Sequence, residues 1–264
     1  MDKRGAPHYH GCVFGGSMEG FGICIAMMAG WALAGVAGGA AGIGTGMTAL
    51  PLVLLLLPPE DVIFVTTLGG FGAAVHLVFA YRRAFRWSDM RTLFAGCLPG
   101  IAAGALTLKF VPLFALQSLL GFVLLSFLVF QLFRGRIRMR LPQSPLAGAA
   151  TGFLCGFASA SVAIPGAPLG IYVILSGWDA DRSRGNMSLF FVFIMGLSVL
   201  AQAATGLYSM RVLGIGMSCA VGSMLGQCIG VRLGRGMDTS ILHRFILFFI
   251  CAAACMLFWR ALGL

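Results

Sequence analysis

Two uncharged runs, residues 20–59 and 141–178, constrain this chain more than any other feature, because at 40 and 38 residues each is far longer than one membrane helix requires. A straight crossing needs only about 20 apolar residues. Each run also carries helix-breaking residues at its middle. GIGTGMTALP fills 42–51 and GFASASVAIP fills 156–165, each with a Gly and a Pro nine positions apart and a further Gly, Gly38 or Gly152, four residues upstream. Gly weakens a helix and Pro removes a backbone donor, so both runs are predicted to unwind near mid-membrane between two shorter helices. Backbone freed at that depth is tolerated only where it is buried in protein or lines a wet cavity. Paired, Gly/Pro-interrupted apolar segments in corresponding halves are the sequence mark of a transporter's binding site.

The composition, 59% hydrophobic and 10% charged, excludes a soluble domain and assigns an all-α polytopic membrane protein. A net charge of +10 raises the question of nucleic acid. Its arginines stand in short clusters between apolar spans, where they set topology and meet anionic lipids, so no nucleic-acid role is expected. The eight cysteines form no CxxC or Cys/His ligand pattern and read as apolar packing residues, with no metal or cofactor expected. His8 and His10, in a polar tail at 1–20, read as tail residues. No cleaved signal peptide is expected there.

The first repeat is assigned to 21–133. Its spans fall at 21–42 with a half-helix at 47–57, then 62–81, 92–108 and 112–133. A basic linker, 134–145, follows. The second repeat, 146–264, has a broken span at 146–176 and further spans at 185–208, 212–231 and 241–262. Gly70, Gly96, Gly100 and Gly104 lie 126 positions before Gly196, Gly222, Gly226 and Gly230, and His76 lies 126 before Gln202. Around the broken motifs the offset is 114. Two pseudo-symmetric repeats of about four spans each are therefore expected. Glycines every fourth residue read as seams where helix backbones touch.

Two topologies fit the charges. One net crossing per broken run gives eight spans in parallel repeats, with 12 Lys/Arg inside and 6 outside; two crossings per run give inverted repeats, with 13 inside and 5 outside. Eight spans are preferred because the segment at 47–57 is about half the length of a full crossing.

The glycine-rich GIG-x-G stretch ending in Pro51, the Pro58/Pro59 turn, the Thr66/Thr67 pair and the two-repeat layout resemble the TauE/SafE family of membrane permeases, the sulfite exporters. The similarity extends over about residues 25–262. In the second motif Ala158, Ser159, Ala160 and Ser161 replace the family's glycines. The resemblance implies a carrier of the bacterial inner membrane, usually an exporter, for small anions such as sulfite, sulfoacetate, other sulfonates or related organic acids.

The residues themselves also favour an anion. Helix N-termini at the breaks expose N–H groups, and hydroxyls stand beside them. Gly44, Thr45, Gly46, Thr48, Thr67, Ser159, Ser161, Asn186 and Gln202 are the candidate substrate contacts. Back-bonding of the hydroxyls to their own helices, or helix capping, is the competing structural reading. His76, an ionisable residue deep in a span, is either a proton-coupling group or a partner for a neighbouring helix. Arg182 and Arg184 either draw anions to the cavity mouth or pair with Asp179 and Asp181. A secondary carrier is the reading preferred over a passive anion channel with the same donor-lined centre. No enzyme is expected, since no nucleophile, base or metal constellation lies in the spans. A homo-oligomer remains open.

Overall fold

The computed structural model of the chain describes residues 17–41, 45–133, 144–206, 209–233 and 251. Among these residues the secondary structure is helical with no strand: α1 Ser17–Ala41, α2 Thr45–Leu56, α3 Pro59–Tyr81, α4 Trp87–Phe110, α5 Leu113–Phe133, α6 Pro145–Val162, α7 Gly166–Leu175, α8 Ala180–Ala204 and α9 Met210–Leu233, with a 3-10 turn at Arg82–Ala84. Seven of these helices are long and apolar enough to cross a membrane, whereas α2 and α7 are shorter. The span expected at 241–262 and the tail with His8 and His10 lie outside the described residues.

Local chemistry sets the helix starts. Ser144 accepts a hydrogen bond from the Ala147 N–H ahead of Pro145, and Asp179 accepts one from the Arg182 N–H, both ordinary N-caps. At the other end of α6, Ala163 takes the left-handed conformation, φ 61°, and its N–H and that of Ile164 close back on Ser159 and Ala158 carbonyls. That geometry stops α6 and frees the chain to reverse.

Glycines hold the long helices together, as their spacing predicts. Gly96, Gly100 and Gly104 of α4 lie against the backbone of Ala149, Phe153 and Phe157 in α6, so closely that a Cβ would overlap each carbonyl. Gly222, Gly226 and Gly230 of α9 meet Met28, Ala32 and Val36 of α1 in the same way. Each seam thus joins a helix from one half to a helix from the other.

Contact order along these seams gives helix direction. The α4/α6 and α1/α9 pairs advance together and are parallel. Leu68, Gly72 and His76 of α3 meet Gly216, Ala220 and Cys228 of α9, again in rising order. Between α3 and α8 the order is reversed: Thr67 meets Gln202, Phe71 meets Gly196 and Ala84 meets Gly185. Within the broken runs, Gly30 faces Leu52 and Gly38 faces Thr45, so α2 runs back along α1 as a hairpin.

This arrangement corrects the preferred eight-span topology. That reading puts the 82–91 loop and the 178–186 loop on opposite faces, yet Arg182 pairs with Asp89 at 2.7 Å and the Arg86 N–H donates to Asn186 Oδ1 at 2.8 Å. The two loops share a face, and each interrupted run turns back instead of crossing once. The length argument against a second crossing failed for a physical reason. Of the 12 residues of α2 eight are buried against the protein, so it has no need to match the full hydrocarbon thickness.

The offset between corresponding seam positions also differs from the expected one. Met28, Ala32 and Val36 occupy the seam positions of Ala149, Phe153 and Phe157. Each of these pairs is 121 apart, in place of the 114 suggested by the Gly and Pro motifs. Thr45 is accordingly matched with Gly166, and Ser159 with Gly38.

Candidate functional site

Between the two reversals lies a hollow of about 50 Å³. Since a single water occupies roughly 10–15 Å³ on this measure, the space suits a solute of a few non-hydrogen atoms. Its walls are Thr45, Gly46 and Met47 at the start of α2, Ala163 to Gly166 at the α6/α7 turn, Gly70, Ala73, Ala74 and Leu77 of α3, and Phe191 and Met195 of α8. None of these side chains is charged. Both short helices begin here, and neither has an acidic residue in its first turn. Pro165, which precedes α7, offers no side-chain cap. The first N–H groups and the positive dipole end of α7, uncapped by any side chain, therefore lie at this largely apolar cavity, with the first described turn of α2 beside them.

Thr45 and Gly46 are the sequence-predicted residues that line it. Gly44 lies outside the described residues. Thr48, buried one turn further into α2, donates to the Thr45 carbonyl at 2.9 Å. Ser161 donates to the Phe157 carbonyl, and Thr67 to the Ile63 carbonyl. Such bonds to a residue's own helix are the structural reading of these hydroxyls.

Three more buried polar side chains brace the α6 end. Ser198 Oγ donates to Ser159 Oγ at 2.8 Å, and Gln202 Nε2 donates to Thr67 Oγ1 at 3.2 Å and to the Ala160 carbonyl at 3.0 Å. Gln202 and Ser159 are fully buried. They sit behind the turn and support it, outside the lining of the hollow. Asn186 is elsewhere, where α8 begins: its Nδ2 donates to Asp89 Oδ2 beside the Arg182 ion pair. Arg182 thus pairs with Asp89 of α4, while Asp179 caps its own helix. His76 is half-buried on α3 between two lining residues' turns, its Nδ1 3.4 Å from Cys228 Sγ of α9.

The sequence reading missed Gln227. It is fully buried in α9, and its Nε2 donates to Thr45 Oγ1 at 2.7 Å. A signal was present, since Gln227 is a polar residue inside the Gly222/Gly226/Gly230 ladder of an apolar span. Met47, Phe191 and Met195 were missed because apolar walls carry no mark that separates them from core. Among the described residues no group of three His, Cys, Asp or Glu side chains could hold a metal ion, and Cys97, Cys155 and Cys219 are buried free thiols.

Comparison with known proteins gives one result that bears on identity. The family described as Sulfite exporter TauE/SafE matches residues 27–257, which takes in both hairpins, the seams and the hollow. No curated protein and no solved structure matches the chain. With nearly its whole length matched, the chain belongs to the sulfite exporter TauE/SafE family of membrane transport proteins.

Proposed function

We propose that the protein is a secondary carrier that binds a small oxyanion, sulfite or a short sulfonate or carboxylate, in the hollow between the α1/α2 and α6/α7 reversals and exports it across the bacterial inner membrane. The observation that carries this reading is the meeting of the uncapped N-terminus of α7 and the first described turn of α2 at one cavity with no charged residue in its described lining. Such an arrangement stabilises negative charge through fixed N–H dipoles without a cation that would hold the solute too tightly to release. Thr45 and Gly46 are the proposed direct contacts. Ser159, Ser161, Thr48, Thr67 and Gln202 act behind them by fixing the turns, and Asn186 acts at the ion-paired loop.

The constant offsets of 121 and 126, with α3 and α8 running in opposite directions, support an inverted duplication whose two halves meet at Gly70 and Gly196. The hollow is level with the middle of α3 and α8, near mid-membrane. Alternating exposure then follows from rocking one half against the other about this centre. His76, flanked by Ala73 and Leu77 of the wall, is the proposed proton-coupling group. The arginine clusters at 82–91 and 134–140 are proposed anionic-lipid contacts on the cytoplasmic face.

The test is flux in proteoliposomes with sulfite, methanesulfonate, acetate and phosphate. Saturation and counterflow of labelled solute are expected. Uptake that never saturates and carries current would replace the carrier with a channel, and indifference to every anion would end the proposal.

A further inference from the structure

Thr45 is the one hydroxyl in the lining of the hollow among the described residues, and a hydroxyl can face a solute either as donor or as acceptor. Its neighbours decide which. Gln227 reaches from α9 and donates to Thr45 Oγ1 at 2.7 Å, while the Thr45 side chain has no acceptor for its own proton among the described residues. Both residues are buried, Gln227 fully and Thr45 to 7% exposure. Gln227 is held in place by close backbone on two sides: it stands between Gly226, packed on Ala32, and Gly39, whose Cα approaches its Oε1 so nearly that a Cβ would lie 2.6 Å away. Gly38, at the other side of the contact, leaves room for Thr45 itself.

Resting on the anion-carrier reading above, we propose that Gln227 is a specificity-determining positioning residue: by occupying the acceptor side of Thr45 Oγ1, it turns the hydroxyl into a fixed hydrogen-bond donor aimed at the hollow. A donor in a cavity without charge favours an oxyanion and disfavours a cation or a solute that can only donate. Gln227 touches no solute. It acts through Thr45, and its effect therefore requires the Thr45 oxygen.

The experiment is titration calorimetry on detergent-purified protein with sulfite, methanesulfonate and acetate, and with glycerol and tetramethylammonium as neutral and cationic probes. Gln227→Met, which keeps length and removes the donor, is expected to weaken anion binding roughly tenfold, the loss of one hydrogen bond to a charged group. Gln227→Glu keeps size but accepts the Thr45 proton, which turns the hydroxyl away from the hollow, and is expected to lose more than Gln227→Met. In a Thr45→Val background Gln227→Met is expected to add less than a twofold change. Should Gln227→Met fail to fold, Gln227→Glu carries the test. Wild-type anion affinity in the folded Gln227 variants, or an undiminished effect in the Thr45→Val background, would overturn the proposal. Binding of glycerol or tetramethylammonium in place of any anion sinks the anion reading, and the Gln227/Thr45 coupling is then read on that solute. Binding of none of the probes by the wild type overturns both.

Discussion

The guanidinium of Arg182, at the start of α8, holds the Asp89 carboxylate of α4 at 2.7 Å through Nη2 and again at 2.7 Å through Nε. Two parallel N–H donors on one carboxylate make a directional clamp. Asn186 and the Arg86 N–H extend it, so the connection between α3 and α4 is tied to that between α7 and α8. The clamp fixes which loops share a membrane face, and it makes topology directly measurable.

In a cysteine-free background, Ser88→Cys and Asp181→Cys, both at exposed positions, are expected to react with a membrane-impermeant thiol reagent from the same side. Labelling from opposite sides would restore the eight-span arrangement. Arg182→Gln leaves Asp89, only 9% exposed, without its counter-charge. A loss of about 1–3 kcal/mol in stability is expected, read as a lower unfolding temperature in detergent.

The glycine seams discriminate sharply between neighbouring positions. Gly100→Ala drives a Cβ into the Phe153 carbonyl, and Gly226→Ala does the same at Ala32. Each is expected to cost about 1–3 kcal/mol through helix displacement. Gly214→Ala, on the same helix as Gly226 but with nothing within 4 Å of its added methyl, should be neutral or stabilising by up to about 1 kcal/mol. Thermal unfolding of the three variants compares them, and equal shifts would argue against backbone contact at the seams.

Gln202 and Gln227 look alike in the sequence and are expected to fail differently. Gln202→Leu strips donors from Thr67 Oγ1 and the Ala160 carbonyl, both behind the α6/α7 reversal. About 1–3 kcal/mol of stability should be lost. Anion affinity in the surviving folded fraction should stay within about threefold, because Gln202 does not line the hollow. A large affinity loss with unchanged unfolding temperature would move Gln202 into the binding site.

His76 is the proposed source of any proton dependence. His76→Gln, which keeps a polar contact for Cys228 and cannot titrate, is expected to flatten the pH profile of uptake. An unaltered profile would leave His76 as a helix-to-helix contact.

Membrane character, the helical class and most helix positions were legible in the sequence because hydropathy and charge clusters report them residue by residue. The positions of the Gly and Pro motifs were legible too, since Gly and Pro act locally. What the chain does after an interruption was not. Whether it continues or reverses depends on packing between remote segments, such as Gly38 on Thr45 and Asp89 on Arg182, which no local pattern encodes. The same limit explains the register. Matching the motifs by Gly and Pro aligned Thr45 with Ser159, whereas the seams align Thr45 with Gly166. Ser159 and Ser161 consequently looked like lining and are bracing. Gln227 was passed over because its meaning comes from Thr45, 182 positions away.

The walls of the hollow are of two kinds. One is peptide backbone at the ends of α2 and α7, stiff and fixed in polarity; the other is Met47, Met195 and Phe191, of which the thioethers are the most compliant side chains available. In the proposed carrier, charge and girth are thus screened by separate materials: exchange of Met47 or Met195 is expected to change how bulky a passenger fits without changing the sign of charge admitted.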